Sequence, residues 1–182
     1  MKKFLFSVVA AVAVLAGCKS IPSVSSMEKT SKAVGVAAAL VANQTKMSDV
    51  QCEAVVSAMK QVRECVPAAG QSFDEAWTPI AKATVQKFVD EGKITKLEGD
   101  IVLTAFSVAV KGVDYIFDVR YPKARQYEEL TRAAVGGFCD GFLAYFNCGG
   151  CSDCTVRSAK DADLVDEEAY EYLKARLAIE KK

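Results

Sequence analysis

Cysteine is the residue type in this chain whose number and spacing can support chemistry. Besides Cys18, near the start, the sequence has six cysteines, three of them in one short segment: Cys52, Cys65, Cys139, Cys148, Cys151 and Cys154. An even number of cysteines can pair into disulfides, and closely spaced thiolates can also bind a metal ion or exchange disulfides with another molecule. Disulfides persist in oxidising compartments, so the choice among these chemistries depends on whether the chain is exported.

The segment from Cys148 to Cys154 is similar to two known cysteine motifs. Its three cysteines resemble the cysteine run of bacterial ferredoxins, but the expected fourth cysteine followed by proline is missing. The sequence has no histidine, so a zinc site would need four cysteines or a carboxylate. The spacing of Cys148 and Cys151 also resembles that of dithiol oxidoreductases, whose motif opens a helix after a strand, and no such strand is predicted here. We therefore favour structural disulfides and expect no metal.

A second candidate site is the charged and aromatic turn around residues 111–125. Asp114 and Asp118 are four residues apart, so they share a helix face and can present two carboxylates to a ligand or cation. Arg120 and Tyr121 follow and complete this candidate binding site. Such residues more often form a solvated helix end with local ion pairs, which is the alternative interpretation.

The first eighteen residues have the pattern of an export signal. Lys2 and Lys3 precede an apolar stretch, residues 4–16, which is too short to span a bilayer permanently. The stretch leads into Leu15-Ala16-Gly17-Cys18, which resembles the lipobox of bacterial lipoproteins. The resemblance implies that Cys18 takes a diacylglyceryl group and that signal peptidase II cuts after Gly17. The mature chain would then be held on a membrane by lipid.

The same resemblance implies a location. Two or three acyl chains hold a protein stably on a bilayer, so we expect an envelope protein with covalent diacylglycerol on Cys18 and no other cofactor. Lys19 stands where inner-membrane lipoproteins of enteric bacteria carry aspartate, which favours the outer membrane in a cell with two membranes. Cleavage removes two of the 23 basic residues and none of the 23 acidic ones, and the resulting slight negative charge argues against a nucleic-acid partner.

Helix start signals recur along the rest of the chain. The capping-box pattern, a hydroxyl residue followed three positions later by Glu or Gln, occurs at Ser25/Glu28, Ser48/Gln51, Ser72/Glu75 and Thr95/Glu98. Apolar residues with helical periodicity follow each signal, and strand signals are nearly absent. The sequence therefore predicts an all-α fold, a bundle of about five core helices plus a charged C-terminal helix that begins near Asp161.

Individual helices carry further predictions. Pro79 should kink the third helix or restart it with Thr78 as the new cap, and the fourth helix should run from Lys96 to Asp118. The fifth helix should run from about Pro122 to Asn147, with Tyr127 facing inward. Small residues recur on the first and fifth helices, where backbones could approach closely: Gly35, Ala38, Ala39 and Ala42 on one, Ala133, Gly137 and Gly141 on the other.

These elements divide the chain into four predicted parts: a signal peptide (1–17), a lipidated tether (18–25), the bundle (26–147), and a Cys-rich loop with the C-terminal helix (148–182). Cys52 and Cys65 lie about 20 Å apart on one predicted helix, too far for a disulfide. We therefore expect the second and fifth helices to be stapled. The expected bonds are Cys65 with Cys139, Cys52 with one of Cys148, Cys151 or Cys154, and the remaining two with each other.

The sequence alone favours a non-catalytic function. Without histidine, no serine triad or histidine-bound zinc can form, and we expect an envelope lipoprotein that acts as an interaction or structural module. Its partner would be an envelope protein or ligand that the sequence does not identify. Two alternatives stay open: a thiol-redox or metal- or cofactor-binding protein using the Cys148–Cys154 segment, and a phage-encoded surface lipoprotein that alters infection or lysis.

Overall fold

The computed structural model describes residues 21–68, 71–146 and 165–180, and within them it is all-α. Six α-helices are present, and no strand occurs in these ranges: α1 (Val24–Ala42), α2 (Asp49–Arg63), α3 (Phe73–Asp90), α4 (Lys96–Asp114), α5 (Glu128–Tyr145) and α6 (Glu167–Glu180). A π-helical turn, Tyr115–Arg120, and a 3-10 turn, Ala124–Gln126, connect α4 to α5. The predicted helical bundle is confirmed.

Side-chain caps begin α2, α3 and α4 at the predicted residues. At Ser48, Ser72 and Thr95 the hydroxyl accepts from the amide three positions on, and the Gln or Glu there accepts from the amide of the capping residue. The first predicted box is wrong. Helix α1 begins at Val24, because Ser23 is the cap and its hydroxyl accepts from the Ser26 amide at 3.2 Å.

Three helices differ from their predicted course, and one of them, α5, begins only at Glu128 because a 3-10 turn occupies Ala124–Gln126. Helix α3 is continuous through Pro79, and Thr78 donates its hydroxyl hydrogen to Asp74 instead of capping a new helix. Burial of Trp77 and Ala81 on either side of the proline keeps the helix packed although one backbone hydrogen bond is lost. Helix α4 ends at Asp114 and continues as the π-helical turn. Among the helices that the structure describes, none is long and apolar enough to cross a membrane.

Helices α1 and α5 pack backbone against backbone. A Cβ atom added at Gly137 would meet the carbonyl of Glu28, and one added at Gly141 would lie 2.9 Å from the carbonyl carbon of Lys32. One added at Gly35 would lie 2.9 Å from the amide nitrogen of Phe142. Real Cβ atoms essentially never come this close, so only glycine fits at these positions. The close approach predicted from small residues is confirmed, and the matching order of contacts shows that α1 and α5 run parallel.

Aromatic side chains fill the core around this pair. Phe73 packs edge-on against Trp77 at 5.1 Å between ring centroids and stacks on Phe117 of the π-helical turn at 5.4 Å. Trp77 also donates its indole hydrogen to the carbonyl oxygen of Cys65 at 2.9 Å. Tyr127, predicted to face inward, is instead 42% exposed, because α5 begins only at Glu128 and Tyr127 precedes it with an extended backbone.

The predicted staple between Cys65 and Cys139 is not present. No disulfide joins Cys52, Cys65 and Cys139 to one another, and Cys139 is fully buried in the core. The contact at this level is an ion pair, in which Arg63 of α2 lies 2.8 Å from Asp140 of α5. Cys148, Cys151 and Cys154 lie outside the described residues, so the expected bond from Cys52 to one of them stays a prediction.

The contact between α1 and α5 predicts opposite effects for two glycines of α5. Gly141→Ala should destabilise the protein by roughly 2 kcal/mol or more, because the added methyl would push the two backbones apart. Gly136→Ala, whose added methyl meets nothing within 4 Å, should stabilise α5 by up to about 1 kcal/mol through higher helix propensity. Urea unfolding of both variants measures the difference, and equal effects would contradict the close packing.

Candidate functional site

The π-helical turn holds most of the residues predicted to bind a ligand. Asp114 is the last residue of α4, Asp118 and Arg120 lie in the turn, and Tyr121 follows it. π-Helical turns are rare, and they occur frequently at functional sites. The Tyr115, Ile116 and Phe117 side chains of this turn are buried, so the turn is packed into the core on one side.

Arg125 occupies the space between the two carboxylates. Its Nη1 atom lies 3.3 Å from Asp118 Oδ1, and its Nη2 atom lies 3.9 Å from Asp114 Oδ1. Nη2 also donates to the carbonyl oxygen of Gln71 at 3.3 Å, and the guanidinium lies 5.4 Å from the centre of the Phe73 ring. The Asp114 and Asp118 carboxylates therefore lie close together, as predicted. The cation between them is the guanidinium of Arg125 from the same chain.

Asp114 is the electrostatically unusual member of this cluster. Burial, and then the negative charges of Asp118 and Asp74, raise the pKa of Asp114 to about 6, while Arg125 opposes them. The 3.9 Å separation from Arg125 is longer than a hydrogen bond, which explains why the arginine does not compensate for the loss of solvent. Asp114 therefore gains a proton under mildly acidic conditions.

Arg120 and Tyr121 make contacts elsewhere. Arg120 Nη1 lies 2.7 Å from Glu168 Oε2 at the start of α6, and Tyr121 lies with its hydroxyl 3.4 Å from the hydroxyl of Thr30 on α1. Tyr115 packs against Tyr172 at 5.0 Å between ring centroids and strengthens the contact with α6. The four predicted residues therefore do not form one site. They connect the turn to three different parts of the bundle.

Sequence reasoning did not select Arg125 as a site residue. Helical spacing relates residues within one continuous helix, but a π-helical turn and a 3-10 turn reverse the chain between Asp118 and Arg125. The second partner of Arg125, the Gln71 carbonyl, is a backbone atom that carries no signal in the residue type. The sequence therefore places Arg125 in the charged segment 111–125 without identifying its partners.

The thiol at Cys139 is poorly suited to chemistry. Burial raises the pKa of the Cys139 thiol to about 12, so the reactive thiolate is scarce near neutral pH. Among the residues that the structure describes, no group of three side chains could hold a metal ion. The predicted redox and metal alternatives depend on Cys148, Cys151 and Cys154. These three cysteines and Cys18 lie outside the described residues.

Two open grooves lie on the surface. One, of about 400 Å³, is lined mainly by polar side chains of α2 and α3, where Gln61 donates to the hydroxyl of Thr84 at 2.9 Å. The other, of about 600 Å³, lies where α1 and α5 begin and includes Val24, Tyr127 and Leu130. Neither of these two grooves contains the Asp114 cluster.

Alkylation should distinguish Cys65 from Cys139, the two cysteines of the predicted disulfide that is absent from the structure. Iodoacetamide reacts with thiolates, so Cys139 should react at least about a hundredfold more slowly than half-buried Cys65 in the folded protein. Peptide mass spectrometry of samples alkylated at pH 8 measures both rates, and in urea the two should become similar. A peptide pair linked through Cys65 and Cys139 would show that the staple exists.

Asp114→Asn should stabilise the protein in a pH-dependent way. The folded state raises the Asp114 pKa from 3.8 to about 6, so its stabilising contribution is complete below pH 3.8 and is lost as the pH rises through 6. The variant should melt roughly 2–4 °C higher at pH 7.5, about 1 kcal/mol, with no gain at pH 3.5.

Asp118→Asn provides the matched control for that prediction. Removing the neighbouring negative charge should lower the pKa of Asp114, which carboxyl-carbon NMR titration measures directly. A melting gain from Asp114→Asn that is the same at pH 3.5 and pH 7.5 would contradict the assigned titration, because an uncharged carboxyl has no desolvation cost for the substitution to remove.

The arrangement at the π-helical turn can hold segments of the bundle together. Arg120 and Arg125 both contact carboxylates of the same chain. Known proteins give no further guide, because no family model, curated protein or solved structure matches this chain.

Proposed function

We propose that this protein is a lipid-anchored envelope protein whose helical bundle is displayed on a membrane surface. The observation that carries the proposal is the tetrapeptide Leu15-Ala16-Gly17-Cys18 at the end of an apolar stretch that follows Lys2 and Lys3. The small residues before Cys18 suit signal peptidase II, and the Cys18 thiol would carry the diacylglyceryl group. Lys19 at the next position favours the outer membrane in a cell that has two.

The bundle itself would act as a non-catalytic interaction or structural module. Three arginines that could serve a reaction or a ligand instead connect segments of the bundle: Arg63 with Asp140, Arg120 with Glu168, and Arg125 with Asp118. This use of charge supports a module that works through its surface, on an envelope protein or ligand, and not through bond-making chemistry.

Part of the predicted disulfide pattern, the bond from Cys52, remains in this proposal. Cys52 is buried in the first turn of α2, and the Asn43 side chain, six residues before that turn begins, donates to the Tyr145 carbonyl oxygen at the end of α5 at 3.0 Å. The chain therefore enters the Cys148–Cys154 segment at the same end of the bundle as Cys52. Export to an oxidising compartment would favour a bond from Cys52 to one of those cysteines and a second bond between the other two.

The anchor predicts the behaviour of a Cys18→Ser variant. Without the Cys18 sulfur there is nothing to acylate, so incorporation of a clickable fatty acid should fall to background and the precursor should stay uncleaved or be mislocalised. Gel fluorescence and intact mass of the full chain, expressed in a bacterium that processes lipoproteins, measure both effects. Cys65→Ser serves as the control, since it removes a sulfur but keeps the tetrapeptide and should label normally. Normal labelling of Cys18→Ser would refute the anchor.

A further inference from the structure

Exposed apolar side chains are concentrated where α1 and α5 begin. Five large apolar side chains are exposed in the part of the chain that the structure describes: Ile21, Val24, Leu97, Val119 and Tyr127. Ile21, Val24 and Tyr127 are 46%, 45% and 42% exposed, and these three line the same groove of about 600 Å³. We call Ile21, Val24 and Tyr127 the proximal face. Scattered apolar residues need no explanation, but a cluster indicates a surface that is covered in use.

The position of Cys18 in the sequence indicates that a membrane surface covers the proximal face. Only three residue steps separate Cys18 from Ile21, and a fully extended chain spans at most about 3.6 Å per residue. Lipid on Cys18 would therefore hold Ile21 within about 11 Å of the point where the acyl chains enter the bilayer. No longer tether is available to move the proximal face away from the membrane.

The parallel packing of α1 and α5 puts Tyr127 at the same end as Ile21. Gly137 and Gly141 of α5 lie against Glu28 and Lys32 of α1, so both helices run away from their first residues in one direction. Tyr127 directly precedes α5, and Val24 is the first residue of α1. A bilayer that holds Ile21 close is thus met by all three side chains of the proximal face.

Leu97 marks the other end of the bundle. Helix α4 runs antiparallel to α1, because Gly112 lies against Ala38 while Tyr121, further along, lies against Thr30. Going along α1 from Val24 to Ala38 covers about 21 Å, and going back along α4 from Gly112 to Leu97 covers about 22 Å more. Leu97 therefore lies roughly 40 Å along the bundle from Val24. At 73% exposed, Leu97 is more exposed than any residue of the proximal face, which makes it a matched control remote from the anchor.

The side chains around the proximal face suit the interface of a bilayer with neutral headgroups. Tyrosine is enriched at membrane interfaces, where its ring is buried and its hydroxyl is hydrated, and Ile21 and Val24 supply apolar contact. The described residues that line the groove include Glu128 and Glu129 and no lysine or arginine, so the groove lining itself does not attract anionic lipid. The apolar area is small, and the lipid on Cys18 would provide the attachment that it lacks.

We propose that the proximal face docks into the headgroup region of the membrane that holds Cys18, so that the bundle has one fixed orientation on the bilayer. This inference rests on the proposed lipid anchor and adds to it. An anchor alone would leave the domain free to tumble on its tether. Docking would place the ends of α1 and α5 that bear the proximal face against lipid and leave the start of α4 in water.

Depth-dependent quenching tests the orientation in the full lipidated chain. Tyr127→Trp and Leu97→Trp are each reconstituted into phosphatidylcholine vesicles with and without dibrominated lipid, which quenches tryptophan at short range. The parent protein supplies the baseline, because its single tryptophan, Trp77, is fully buried. After subtraction of that baseline, Tyr127→Trp should be quenched at least about twofold more than Leu97→Trp.

Flotation of the same samples separates failure of the inference from failure of the anchor. If the vesicles float with the protein and both variants are quenched equally, or neither is, the orientation is refuted and the anchor stands. If the parent chain does not float with the vesicles, both proposals fail. A third result, a dimer in detergent that Tyr127→Ser dissociates, would assign the proximal face to a second copy of the chain and would also overturn docking to lipid.

Discussion

The structure depends on how closely α1 and α5 approach one another. Gly35, Gly137 and Gly141 leave no room for a Cβ atom, so the two backbones touch and the helices are locked in a parallel arrangement. Other helices pack against this pair. The ring of Phe138, which follows Gly137, packs against Trp77 of α3 at 6.4 Å, and a Cβ atom added at Gly112 would collide with it. The tightest part of the core thus positions the large aromatic side chains of the remaining helices.

Charge plays a complementary part at the π-helical turn. The turn holds Asp114 at a partly buried position, which costs solvation, and Arg125 at 3.9 Å offsets that cost incompletely. Arg120 extends the same principle to α6, where it contacts Glu168 and lies 4.0 Å from Asp166. Arg120 and Arg125 thus connect the irregular backbone between α4 and α5 to neighbouring segments of the chain.

Sequence patterns predicted the features that depend on residues a few positions apart in the chain. The boxes at Ser48, Ser72 and Thr95 follow from a three-residue spacing, and the small residues of α1 and α5 follow from a four-residue spacing. The absent bond between Cys65 and Cys139 depends on contacts across the fold, where Arg63 and Asp140 form an ion pair instead. The cap of α1 is a local exception, because Ser23 caps the helix two residues before the predicted Ser25. Arg125 contacts Asp118 and the carbonyl oxygen of Gln71 where two irregular turns reverse the chain between α4 and α5.

The parallel arrangement of α1 and α5 also has a consequence for the cysteines. Helix α5 has 18 residues, so its end at Tyr145 is about 27 Å from its start beside the proximal face. The chain therefore enters the Cys148–Cys154 segment from the end of α5 that is remote from the tether. If lipid on Cys18 holds the proximal face against a bilayer, as proposed, Tyr145 at the end of α5 lies on the side of the bundle that faces away from that bilayer.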